Sequence, residues 1–163
     1  MTDFSAFLEA LEEDAFEEKP VEIEEFVTSN NYLALPPLSD YQYQMIKAST
    51  QIYKHETLIK LYGEVEGEKR WKQTCNEVIF QLGKGSGKDY TSTIACAYVV
   101  YLLLCLKDPA RYYGKPPGDA IDIINVAINA VQAQQVFFKG FKNRITRCPW
   151  FAGKYNEKVG SIE

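Results

Sequence analysis

Histidine is nearly absent from this 163-residue chain, where His55 stands alone. The four cysteines, Cys75, Cys96, Cys105 and Cys148, include no Cys-x-x-Cys pair. Zinc centres draw on closely spaced Cys and His ligands, so this spacing argues against one. Cys96 and Cys105 lie in an apolar run with helical character, where buried free thiols are common. All four are expected to be structural thiols of a reduced, intracellular protein. Long hydrophobic runs are missing too. The longest, Ile94 to Leu106, is 13 residues, whereas a bilayer crossing needs about 20. The N-terminus lacks the basic-then-apolar order of a signal peptide. No membrane partner is expected.

What is present is an average globular composition, 46% hydrophobic and 25% charged, which suits one packed domain. The net charge of −4 conceals an asymmetry. Residues 1–25 hold ten acids against one base, Lys19, while residues 26–163 hold 17 bases and 12 acids. The expected division is an acidic N-terminal helical segment, 1–25, and a mildly basic body, 26–163. Such a body permits nucleic-acid contact without requiring it. In the head, Phe4, Phe7, Leu8, Leu11 and Phe16 suit one helix face, with Thr2 or Asp3 as cap.

Beyond the Pro36-Pro37 break, Ser39 or Asp40 can cap a helix reaching about Tyr62. The charged, glycine-punctuated stretch Gly63 to Lys72 reads as a loop. Residues 77–82 form a short β-prone run, and Gly83-Lys-Gly-Ser-Gly-Lys-Asp89 a tight glycine-rich turn. Thr91 to Leu106 follows as a nearly all-apolar helix. Ala120 to Ile128 is a second apolar β run, and Val131 to Arg147 another helix. The order predicts an α/β fold with a mainly parallel sheet flanked by helices and a right-handed crossover, and the glycine-rich turn between strand and helix gives it the plan of a P-loop NTPase.

The turn carries the chemistry. Glycines let backbone N–H groups approach an anion closely. A helix N-terminus adds partial positive charge, and a lysine adds a full one. Gly83, Lys84, Gly85, Ser86, Gly87, Lys88, Asp89 and Tyr90 are therefore the candidate triphosphate cradle, with ATP and Mg²⁺ as the expected ligands. Two positions depart from the usual G-x-x-x-x-G-K-[ST] pattern. Leu82 stands where the first glycine belongs, and Asp89 where Ser or Thr holds Mg²⁺. A carboxylate is itself a good Mg²⁺ ligand, which makes Asp89 the candidate metal residue. Helix capping is its alternative role, and Thr91 and Thr93 are weaker metal candidates.

These departures and the flanking segments resemble the ATPase domain of the large terminase subunit of tailed bacteriophages. The family's loop often reads small residue, Arg, any, any, Gly, Lys, Ser/Thr. The stretch Gly83 to Asp89 fits that register, with Lys84 in the arginine's place. Ser39-Asp-Tyr-Gln-Tyr-Gln-Met-Ile46 resembles the adenine-recognising glutamine motif of terminases and helicases. Gln42 is its best match and Gln44 a substitute, since a glutamine amide both donates to and accepts from an adenine edge. Ile123 to Ala133 resembles the strand-loop-helix that follows the P-loop helix there, with the loop Asn129–Val131 as a DNA-tracking or coupling element.

The resemblance implies Lys88 on the β/γ-phosphates and Lys84 on the γ-phosphate, the latter without the planar fork of arginine. It implies a DNA-packaging motor acting on double-stranded phage DNA in the cytoplasm of an infected bacterial host. Portal protein, small terminase subunit and a homo-oligomeric ring are the implied partners. Lys139, Lys142, Arg144 and Arg147 are candidates to meet DNA or a neighbouring subunit. A P-loop ATPase also needs an apolar strand ending in Asp-Glu to steady Mg²⁺ and orient water. No such strand follows the loop here. The chain therefore reads as the front portion of an ATPase domain, expected to bind nucleotide without efficient hydrolysis, and without the family's nuclease domain. A helicase-like translocase is the nearest alternative, although Asp89 counts against it. A small nucleotide kinase lacks its arginine-rich lid, because Arg70, Arg111, Arg144 and Arg147 are scattered. A non-catalytic assembly module with a vestigial loop is the alternative from another class.

Overall fold

The computed structural model describes residues 15–50, 59, 63–69, 78–158 and 161–162. Expectations for residues 1–14, for Cys75 and for most of the 51–62 stretch lie outside these. Within them the protein is a helical assembly built around one long helix. Helix α1 is Ile23–Thr28, α2 is Asp40–Thr50, α3 is Lys88–Cys105 and α4 is the short Pro109–Tyr112. Helix α5, Ala130–Gln132, runs through a wider π-helical stretch, Ala133–Phe138, into α6, Lys139–Arg147. A small antiparallel pair, β1 (Glu157–Lys158) with β2 (Ser161–Ile162), closes the order.

Helix α3 is central because it is apolar on nearly every side. Ile94, Ala97, Tyr98, Tyr101 and Cys105 recur at helical spacing and are all buried. Phe26 of α1 packs into that face, its ring 4.8 Å from Tyr101 and 5.2 Å from Tyr98. Trp150 meets Tyr101 edge-on at 4.6 Å. A buried tyrosine needs a partner for its hydroxyl, and one backbone unit serves two of them. Val21 N–H donates to the Tyr101 hydroxyl at 2.9 Å, and the Tyr98 hydroxyl donates to Val21 C=O at 2.8 Å. These bonds fasten the segment before α1 onto α3. Helix α1 thus spans residue 25, with Ile23, Phe26 and Val27 in the core.

Several local expectations meet a different structure. Phe16 forms a bridge with Leu106, and residues 15–18 make a turn with no helix. Residues 63–69 are helical, where a loop is expected. Gly67 permits this, since a Cβ there would stand 2.8 Å from the Ile59 backbone. The free thiols Cys105 and Cys148 are buried and Cys96 partly so. Burial pushes the Cys96 thiol up to about 11.

The parallel sheet is the main difference. Residues 78–82 and 120–128 carry the β-prone composition, yet neither joins a ladder among the described residues. Their apolar side chains are open, with Ile79 76% and Ile128 94% exposed. The physical reason is that strand preference is mostly preference for a partner and a packed face. Composition alone supplies neither. Residues 121–127 instead border a cavity of about 1400 Å³ between themselves, α3 and the π-helical stretch.

Candidate functional site

The glycine-rich turn sits where an anion site can form. Residues 84–86 make the turn, and α3 starts at Lys88 with Gly87 as its N-cap. Gly85 and Gly87 take φ of +83° and +74°, in the left-handed region that costs other residues energy. Gly83 needs no such angle. The leading N–H groups of a helix have no partner within it. Here the first return bond runs from Thr91 N–H to Gly87 C=O at 2.9 Å. Gly87 offers no side-chain cap. The N–H groups of Lys88, Asp89 and Tyr90 are thus the donors that an anion would engage. They lie beside an exposed cleft of about 480 Å³ lined by Lys84, Gly85, Gly87, Lys88, Asp89 and Tyr90.

Charge and donors together suit a polyphosphate. Lys84 and Lys88 are both exposed, so their ammonium groups can reach back over the turn. Ser86 N–H makes a long bond of 3.4 Å to Gly83 C=O and tightens the turn. Asp89 is exposed in the first turn of α3. Among residues of the cleft it is the hard oxygen donor a divalent cation would take. The two threonines differ. Thr93 Oγ1 donates to Tyr90 C=O at 2.8 Å, whereas Thr91 is buried and its Oγ1 has no partner. Among the described residues no group of three or more His, Cys, Asp or Glu could hold a metal. A cation at Asp89 would therefore lean on phosphate oxygens and water, as Mg²⁺ sites commonly do.

Gln42 comes to the turn from elsewhere in the chain. It belongs to a Ser-x-x-Gln capping box at the start of α2. Its Oε1 accepts from Ser39 N–H and from Ser39 Oγ, both at 3.1 Å, and Gln42 N–H donates to Ser39 Oγ at 3.4 Å. The other end of the amide points at the turn. A Cβ built on Gly87 would stand 3.1 Å from Gln42 Nε2. Helix capping and contact with the loop are thus one side chain's two roles. Gln44 is exposed on α2.

Arg144 also reaches this end of α3. Its guanidinium carbon lies 4.6 Å from the centroid of the Tyr90 ring. Its Nε is buried without a hydrogen-bond partner. The sequence suggests Arg144 for contact with DNA or a neighbouring subunit, whereas the structure sets it against Tyr90. The available signal was Gly140 one helical turn earlier, which lets α6 approach α3 closely. A Cβ on Gly140 would stand 3.1 Å from Thr93 Cγ2.

No solved structure matches the chain. The uncharacterized protein MJ0330 of Methanocaldococcus jannaschii is 39% identical over 70 residues, 43% of this chain. The match spans 12% of that protein's length. The terminase likeness rests on the motifs quoted above and has no counterpart in these comparisons. Over residues 1–161 the sequence matches the family model described as "Uncharacterized protein MJ0330, N-terminal P-loop domain", and the chain belongs to that family of P-loop domains.

Proposed function

We propose that the chain binds ATP with Mg²⁺ through residues 83–90. The observation that carries this is an uncapped helix N-terminus behind two left-handed glycines, with two exposed lysines on the same cleft. Main-chain N–H groups of Lys88, Asp89 and Tyr90 would take the phosphate oxygens. The Lys88 ammonium would neutralise the β/γ end, and Lys84 would add a second charge there. Asp89 would hold Mg²⁺ directly or through water, and the cation would screen the carboxylate from the phosphates. Gln42 would read the adenine edge with the amide end that faces Gly87.

The finer reading is the ATP-binding portion of a DNA-translocating motor of the terminase type, working as a ring on double-stranded DNA. The approach of Gln42 to Gly87 favours it over a module with a vestigial loop, because a vestigial loop has no need of an adenine reader. We infer further that residues 77–82 and 120–128 become neighbouring parallel strands once partner strands are supplied.

Titration calorimetry tests the binding. Mg·ATP should bind the wild-type chain. Lys88→Ala should weaken it by roughly 10- to 150-fold, the value of a charge-assisted phosphate bond of about 1.5–3 kcal/mol. Equal affinity of both proteins, or no binding to either, rejects the proposal.

A further inference from the structure

We propose that Tyr90, held from behind by Arg144, is the platform on which the nucleotide base stacks. This rests on the nucleotide-binding reading above and extends it to a part of the ligand that the glycine turn does not touch. Tyr90 lines the same cleft as Lys84 and Lys88, yet its phenol ring is no phosphate donor in the sense that the lysines are. One side of the ring is taken by the Arg144 guanidinium at 4.6 Å. The residue is nevertheless 37% exposed and borders the cleft. A guanidinium over one face of an aromatic ring that also borders an open cleft suits a stacking platform.

The arrangement is built into the packing of two helices. Gly140 meets Thr93, and four residues later Arg144 meets Tyr90, three residues earlier on α3. The two helices therefore run antiparallel at this contact. Glycine at 140 sets their separation, and that separation brings the guanidinium onto the ring. Arg144 pays for its position, because its Nε is buried with no hydrogen bond. Among the described residues no carboxylate pairs with it. Among the described residues, the Tyr90 ring is what the guanidinium packs on. Gln42 approaches the same end of α3 at Gly87. An edge-reading amide and an aromatic face thus converge beside the phosphate turn, as base recognition requires. Arg144 acts through Tyr90 and is a positioning residue.

The test separates base from phosphate. Wild type, Tyr90→Leu, Tyr90→Phe, Arg144→Ala and Lys88→Ala are each titrated with Mg·ATP and with Mg·tripolyphosphate, which has the phosphates and no base. Tyr90→Leu should weaken ATP by about 5- to 100-fold, the range for losing one aromatic stack. Arg144→Ala should weaken ATP at least threefold. Both should leave tripolyphosphate within twofold, and Tyr90→Phe should bind both ligands like wild type. Should Arg144→Ala fail to fold by circular dichroism, Arg144→Lys replaces it, with the same selective loss expected because an ammonium cannot cover the ring as a plane. Unchanged ATP binding in Tyr90→Leu and Arg144→Ala, or parallel losses for both ligands, overturns the platform. The nucleotide-binding reading is judged separately, by whether Lys88→Ala loses both ligands.

Discussion

Alanine at each of the three turn glycines should give a graded loss of stability, and the grading follows from geometry alone. Gly83 has no left-handed angle and nothing within 4 Å of a built Cβ. Gly83→Ala should therefore stay within about 0.5 kcal/mol of wild type. Gly85 is equally uncrowded but stands at φ +83°, and holding a residue with a Cβ there costs roughly 1–2 kcal/mol. Gly87 combines φ +74° with a Cβ position 3.1 Å from Gln42 Nε2. The glutamine would have to shift, and its Oε1 is tied to Ser39. Loosening that cap adds about 0.5–1 kcal/mol. The sum for Gly87→Ala is about 1.5–3 kcal/mol. A domain of this size loses roughly 2–4 °C in Tm per kcal/mol. The expected drops are thus about 2 °C or less at 83, roughly 2–8 °C at 85 and roughly 3–12 °C at 87. Thermal unfolding followed by circular dichroism, without nucleotide, reads them directly. A Gly83→Ala variant as unstable as Gly87→Ala would refute the turn geometry, as would a Gly87→Ala variant indistinguishable from wild type.

Other perturbations reach other parts of the structure. Tyr101→Phe removes the acceptor of Val21 N–H and should cost about 1–3 kcal/mol in chemical denaturation, the price of an unmet buried donor; an unchanged midpoint would contradict the Val21 clamp. Ser39→Ala breaks the capping box and should cost roughly 0.5–2 kcal/mol, while also freeing Gln42 and weakening ATP binding. Burial raises both the Cys96 and the Cys105 thiol to about 11 from 9.0. Folding thus favours the protonated thiols, so this contribution to stability is complete below pH 9 and is lost as pH climbs to about 11. Denaturation midpoints should be flat in this respect up to pH 9 and fall beyond it; a rise across that window would reverse the assigned sign.

The features readable from sequence are those fixed locally. The apolar helix after the turn follows from composition and helical period, although α3 begins at Lys88, three residues before the expected Thr91. Ser39 heads α2 as a cap does, with Gln42 three residues on completing the box. What escaped the reading depends on residues distant in the chain. Ile79, Val126 and Ile128 have the right composition for strands, yet a ladder needs a partner that local sequence cannot specify. The Arg144 contact with Tyr90 is likewise set by how two helices pack, and only Gly140 hints at it. Gly67 shows the same lesson in reverse. As a glycine it reads as a breaker, but its missing side chain is what admits the Ile59 backbone.

The most direct test is a crystal structure of the chain with a non-hydrolysable ATP analogue and Mg²⁺. The phosphates should lie within hydrogen-bond distance of the N–H groups of Lys88, Asp89 and Tyr90, with the Lys88 ammonium on the β/γ end. An analogue bound elsewhere, or a turn left without ligand at saturating concentration, would contradict a phosphate-binding role for residues 83–90.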